Sequence, residues 1–327
     1  SLCFEWREGV WENMTRGTDR FVLETSPEGE EPFLLQDVWE HTLYAYNRQG
    51  LLRYVEYPNK LRLALSYGKE GLERITTPLG NVLEVRCKDG RILEITDEIG
   101  RRTQYRYEGE LLTDVVNPDE GMTHYEYDKL GRILSVTDQN GKRCLDNEYD
   151  ERGRITSQSF PGGVHWRFAY DEAHKRNTIF YSETGKTEIY EYNDRLLLEC
   201  VRYEDGTRET FLYNEDNCKI CETSRLGHRK EWEYDAYGRV ILERYPDGLE
   251  EYKSYDQNHD LERTWDSEGR ETCYSYDSAH NLTRTREKIE EGKWRETTGE
   301  YDCLGRCVLE RDSLGNETRR EYAPDHS

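Results

Sequence analysis

Long apolar runs are missing from this chain: nothing approaches the roughly 18 to 20 residues that a helical membrane span requires, so no such span is expected. Clusters of Lys and Arg are missing too. With 46 basic against 68 acidic residues and a formal net charge of -22, there is no basic face to attract phosphates, which excludes sequence-independent binding of nucleic acid. The acidic balance suits solubility, repulsion between copies or a basic partner. Cysteine gives no even set: the nine, Cys3, Cys87, Cys144, Cys200, Cys218, Cys221, Cys273, Cys303 and Cys307, do not indicate a disulfide framework. Cys218-Lys-Ile-Cys221 has the spacing of a redox pair or half a metal site, yet no second ligand pair sits at a suitable distance. In a strand, residues three apart also face opposite sides. These are read as ordinary thiols, and no metal or cofactor is expected.

Catalytic signatures are equally absent. There is no Gly-x-Ser-x-Gly elbow, phosphate loop or His-Glu-x-x-His stretch. Paired carboxylates could in principle serve a glycoside hydrolase, but with 68 acids close pairs arise by chance. Most Asp residues moreover fall at turn positions, where they hydrogen-bond the backbone. The chain is therefore not expected to be an enzyme. It opens on Ser1 without a signal peptide, and a repeat beginning at Tyr322 runs off the end, so both ends are expected to be cut.

What is present is a repeat. Tyr127-Asp128-Lys-Leu-Gly131-Arg132 recurs as Tyr149-Asp150-Glu-Arg-Gly153-Arg154, Tyr234-Asp235-Ala-Tyr-Gly238-Arg239 and Tyr301-Asp302-Cys-Leu-Gly305-Arg306. Looser copies begin at Tyr46, Tyr67, Tyr107, Tyr170, Tyr192, Tyr213, Tyr255, Tyr276 and Tyr322, with Cys87 in the Tyr position of a degenerate one. That gives about fourteen units, mostly about 20 to 22 residues apart, the mark of a repeat architecture rather than of separate globular cores. An apolar content of 34% beside 35% charged residues leans toward disorder, but 25 Tyr, 7 Trp and 7 Phe supply burial that disordered chains lack. The balance points to a folded sheet, wetted on much of its surface.

Each unit reads as a β-hairpin. Four residues after the motif Tyr stands Gly in six units, which suits a tight turn with positive φ. In the Tyr170, Tyr255 and Tyr276 units that position holds His174, His259 and His280, and in the Tyr213 unit Asn217. Asn, Asp and His are the non-glycine residues most often left-handed, so the three histidines are read as backbone geometry and not as a metal site. A second turn follows, as in Asp138-Gln-Asn-Gly141 and Asp312-Ser-Leu-Gly315, and the segments between turns, such as Ile133-Leu-Ser-Val-Thr137, are β-formers. Aromatics two apart, such as Tyr125/Tyr127 and Trp232/Tyr234, face one side of a strand and are expected to form stripes across neighbouring strands. Recurrent Gly and Asp leave no room for an amphipathic helix. The insertion Glu287–Gly292 reads as a longer hairpin loop. Residues 1–40, without a Tyr-Asp copy, are read as degenerate leading repeats in preference to a cap, and 41–327 as the array.

The pattern Tyr-Asp-x-x-Gly-Arg, followed by an aliphatic strand and a second Gly turn, resembles the YD repeat of the Rhs family, shared with shell subunits of insecticidal toxin complexes, bacterial wall-associated proteins and animal teneurins. The resemblance covers residues 41–327. It implies an all-β hairpin ribbon that spirals into a hollow shell and, in bacterial members, a cocoon around a C-terminal toxin domain. The implied function is structural encapsulation by a secreted or delivered bacterial effector. The implied partners are the remainder of the shell and the enclosed toxin. The motif residues Tyr127, Asp128, Gly131, Arg132, Tyr149, Asp150, Gly153, Arg154, Tyr234, Asp235, Gly238, Arg239, Tyr301, Asp302, Gly305 and Arg306 are then structural, with the arginines pairing with neighbouring turn aspartates. The alternative is an adhesion surface whose exposed aromatics bind glycan or a partner protein. No Asp-Pro pair is present, whereas the self-cleaving core of Rhs-type proteins carries them, so no autoproteolysis is carried over.

Size bounds what this stretch can enclose. About 28 strands at about 4.8 Å each make a ribbon roughly 130 Å long and about 20 Å tall. Enclosing a 100-residue cargo of about 17 Å radius needs roughly 6,000 Å² of wall, more than twice that ribbon's area. By itself the chain is expected to be an open, curved wall or partial barrel.

Overall fold

The computed structural model describes residues 4–7, 10–13, 20–26 and 29–322. Thirty-one strands and one short 3-10 turn make up those residues. The strands Phe4–Arg7 and Val10–Asn13 form a two-stranded sheet of their own. From Phe21–Thr25 onward the strands belong to one antiparallel sheet of hairpins. The chain divides into two compact units, one of residues 1–63, 212–222 and 228–327, the other of residues 64–211 and 223–227. Within each, consecutive strands pair with one another, as in Phe21–Thr25 with Phe33–Asp37 and Met122–Tyr127 with Ile133–Thr137.

The hairpin unit follows from its turn chemistry. In the pair Met122–Tyr127 and Ile133–Thr137 the register shifts by one residue between Glu126 and Tyr127. Gly131 supplies the left-handed residue at φ 78° that such a bulged turn requires. The same shift falls immediately before Tyr149, Tyr234, Tyr255, Tyr276 and Tyr301. Non-glycine occupants take the same backbone conformation, with Asn217 at φ 66°, His259 at 70° and His280 at 60°.

His174 departs from the expectation. Its strand pairing runs one residue further, to Asp171 against Arg176, and the left-handed residue is Lys175 at φ 52°. The insertion departs too. It lengthens the strands instead of the loop, giving Leu282–Glu290 and Lys293–Tyr301 of nine residues each, closed tightly at Gly292 with φ 74°.

Packing is thin. The buried apolar residues are few and small, among them Ala45, Val85, Cys200, Val201, Cys221, Leu242 and Leu309. Most side chains are only half-buried, as a single wetted layer requires. The aromatic stripes are mixed rows: Tyr125 faces Val136, Tyr44 faces Val55 and Phe168 faces Ile179 across the ladder. In these hairpins the aromatic stands on the first strand and the aliphatic on the second, so neighbouring strands alternate the two, whereas Tyr252 faces Trp265 and Trp232 faces Glu243. Charge is managed across strands as well. Glu243 is held between Lys230 and Lys253 at 2.8 and 2.7 Å, one lysine from each flanking strand.

Candidate functional site

The repeated motif is the first place to look for function, and its polar side chains bond within their own turn and to the adjoining hairpins. Asp128 Oδ1 accepts the backbone N–H groups of Leu130 and Arg132 at 2.8 and 3.0 Å, while Oδ2 accepts Arg132 Nε at 2.7 Å. These backbone and guanidinium donors hold the Asp128 carboxyl below its usual range. Asp150, Asp235 and Asp302 repeat the arrangement with Arg154, Arg239 and Arg306, whose Nε atoms lie 2.8 Å from the carboxylate in each case. Each arginine thus pairs with the carboxylate of its own turn's aspartate, four residues back, and Arg132 Nη1 also donates to the backbone carbonyl of Asp150 in the following turn at 3.2 Å.

The guanidinium then lies over the next unit's tyrosine. Arg132 sits 4.4 Å above Tyr149, Arg154 4.4 Å above Tyr170, Arg239 4.1 Å above Tyr255 and Arg306 4.3 Å above Tyr322. The hydroxyl of each motif tyrosine reaches back to the preceding unit. Tyr127 donates to Leu112 O at 2.6 Å, Tyr149 to Ile133 O at 2.7 Å, Tyr234 to Lys219 O at 2.7 Å and Tyr301 to Leu282 O at 2.8 Å. Tyr, Asp, Gly and Arg therefore make one device: Gly permits the turn, Asp fixes it, Arg clamps Asp and covers the following ring, and Tyr ties two hairpins together.

Other aromatic rings are occupied with one another. Trp166 meets Phe160 and Tyr181 edge to face at 4.9 and 5.3 Å, and Tyr252 stacks on Trp265 at 5.4 Å. Among the residues whose side chains are described, only Tyr57 is an exposed aromatic. The eight described cysteines form no disulfide, and Cys221 is buried whereas Cys218 is half-buried.

One cluster falls outside the repeat's device. His41 Nε2 lies 3.1 Å from Asp260 Oδ1, and His280 Nδ1 lies 2.8 Å from Asp260 Oδ2. The two imidazoles stack at 3.6 Å with 10° between their planes. Burial and the neighbouring His280 push His41 below the usual imidazole range. His280 and Asp260 lie on successive trailing hairpins, but His41 comes from the leading end of the chain. Its turn is set by Asp37, which accepts the N–H of Trp39 at 3.0 Å and is gripped by Arg20 Nε at 2.9 Å. Burial works to raise the Asp37 pKa; the Arg20 hydrogen bonds and the turn N–H groups outweigh it and hold the carboxyl low. Sequence reasoning gave His280 its backbone role correctly and missed the cluster. The available signal was a pattern break: Asp260 stands where the repeat carries Arg132, Arg154, Arg239 and Arg306.

The teneurin YD-shell family model matches residues 36–145 and the RHS repeat model matches residues 149–179. The chain is 29% identical over 83 residues to the toxin protein Tse5 of Pseudomonas aeruginosa, covering 24% of this chain and 6% of that protein. Among solved structures, TcdB2-TccC3-Cdc42 matches all of this chain and 22% of its own, with a TM-score of 0.55 at 12% identity. The Photorhabdus luminescens Tc holotoxin pore matches 83% of this chain and 18% of its own, with a TM-score of 0.50 at 13% identity. At these identities the structural likeness concerns the fold. The chain spans about a fifth of the solved chains it resembles.

Proposed function

We propose that the chain, which the teneurin YD-shell and RHS repeat models match over residues 36–145 and 149–179, is a length of Rhs/YD-repeat shell wall which, within a longer protein, encloses a toxin domain. The observation that carries this reading is the full engagement of the motif. Asp and Gly build each turn and Tyr and Arg reach the adjoining hairpins, which supports a building role for the repeat. Residues 21–37 belong to the same wall as leading repeats without the motif, since Phe21–Thr25 and Phe33–Asp37 pair within the hairpin sheet, whereas Phe4–Arg7 and Val10–Asn13 pair apart from it. The partners are the remaining shell and its cargo, and the setting is a secreted or delivered bacterial toxin, the class to which Tse5 belongs by name.

Limited proteolysis of the full-length parent tests the reading. Cargo behind an intact wall is cleaved only after the wall opens, so its cleavage should be slow in the native protein and fast once Tyr127, Tyr149 and Tyr234 are together changed to Ala. Cleavage of the cargo at the rate of the isolated domain, in a parent whose array is folded, would overturn the proposal.

A further inference from the structure

We propose that His41, Asp260 and His280 form a binding site for a divalent first-row transition ion, of which zinc is the fitting example, and that the ion staples the leading end of the array to its trailing hairpins. Two imidazole nitrogens and one carboxylate are a donor set that such ions take, with open positions left for water. Among the described residues this is the one group of three His, Cys, Asp or Glu side chains whose ligand atoms converge, all within 4.8 Å of one another. An ion about 2.1 Å from each donor spans at most about 4.2 Å between donors, and because the two rings stack face to face at 3.6 Å their in-plane lone pairs converge on one ion only after the imidazoles tilt out of the stack. Asp260 is 9% exposed, His41 14% and His280 23%, which leaves one side open for a water ligand.

The repeat itself argues that these residues are placed for a purpose. Asp260 occupies the position that in the units before it holds Arg, Lys, Cys or an aliphatic residue, and His280 is followed at that position by Asn281. An arginine at 260 would cover the next motif ring, Tyr276, as Arg239 covers Tyr255 at 4.1 Å. That cation–π contact is given up at Asp260, whose carboxylate instead meets His41 and His280, and a break in the local pattern is where function is expected. His259, in the same backbone conformation one residue earlier, does not join the cluster. It lies against Tyr237 at 4.5 Å and 3.2 Å from Arg239 Nη1.

Binding requires a change of tautomer. In the hydrogen-bonded form His41 Nε2 and His280 Nδ1 carry the protons that face Asp260. When those nitrogens give their lone pairs to the ion, the protons of neutral imidazoles move to His41 Nδ1 and His280 Nε2, and an imidazolium releases one to solvent. The Arg20–Asp37 grip on the turn preceding His41 serves as the outer support that holds a ligand in position. A second meeting of the same two parts of the chain stands nearby, where Asn59 lies against Gly305.

The test is titration of the purified chain with Co2+ and Zn2+, following cobalt absorption and thermal melting. Wild type should bind one ion per chain with a d–d spectrum of nitrogen and oxygen ligation, and its Tm should rise with the metal. His41→Asn, Asp260→Asn and His280→Asn should each lose about 100-fold or more in affinity and show no metal-dependent Tm shift. Asn keeps the left-handed turn at 280 accessible, and His259→Asn should bind as wild type does. A thiolate-to-cobalt charge-transfer band, binding unchanged in the three variants, equal loss in His259→Asn, or an absence of stoichiometric binding would each overturn the site. The inference rests on the cluster alone, so its failure would leave the encapsulation reading standing.

Discussion

At the scale of the residue, the account assigns separate energies to the parts of one side chain. Tyr234→Phe removes only the hydroxyl that donates to Lys219 O at 2.7 Å; it should cost about 1 kcal/mol. Tyr234→Ala removes the half-buried ring as well and should cost on the order of 3 kcal/mol. Urea denaturation of the two variants checks the order, and equal midpoints would mean that the ring is not packed. Glycine in the turn is required by its conformation. Gly131 stands at φ 78°, and an added Cβ would meet Leu111 Cδ2 at 3.4 Å, an ordinary contact. The cost of Gly131→Ala should therefore be the left-handed penalty alone, about 1 to 2 kcal/mol. Gly131→Asn should be milder, as the natural Asn217 at φ 66° indicates. Thermal melting of the pair distinguishes backbone strain from a steric clash, which would make Asn the worse of the two.

At the scale of the element, a hairpin is legible in sequence because its causes are local. The Gly or Asn after the motif Tyr, the aspartate that bonds its own turn and the β-branched return strand all act within about twenty residues. Partners across strands are less legible, since register decides them. Glu243 shows this: its neighbours Lys230 and Lys253 come from two other strands. Burial acts to raise the Glu243 pKa, but hydrogen bonds and charge from Lys230 and Lys253 prevail and lower it from 4.5 to about 2. A depressed folded pKa means that the contribution is present above the unfolded value and lost as pH falls through the folded one. The window is therefore pH 4.5 down to about 2. Glu243→Gln should lose on the order of 2 kcal/mol at neutral pH and show a flatter acid limb, converging on wild type at the bottom of that window. Urea midpoints measured against pH check it; parallel curves for the two proteins would contradict the ion-pair ladder. His174 marks the limit of local reading. A ladder one residue longer moved the left-handed position to Lys175, and nothing in the motif spacing signals that extension.

At the scale of the whole molecule, the repeat and its family were legible because the motif recurs, whereas the meeting of His41 with Asp260 and His280 was not. That contact joins parts of the chain far apart in sequence, and only the break at Asp260 hints at it. The chain covers 22% of the TcdB2-TccC3-Cdc42 chain whose fold it shares. The central claim is that hairpins joined by Tyr, Asp, Gly and Arg form a wall around a cargo. Electron cryomicroscopy of the full-length parent tests it most directly. The account predicts a closed shell in which this array is one part of the wall, with density inside it belonging to polypeptide outside the array. An array that stays open around solvent, or one whose partner binds only from outside, would contradict it.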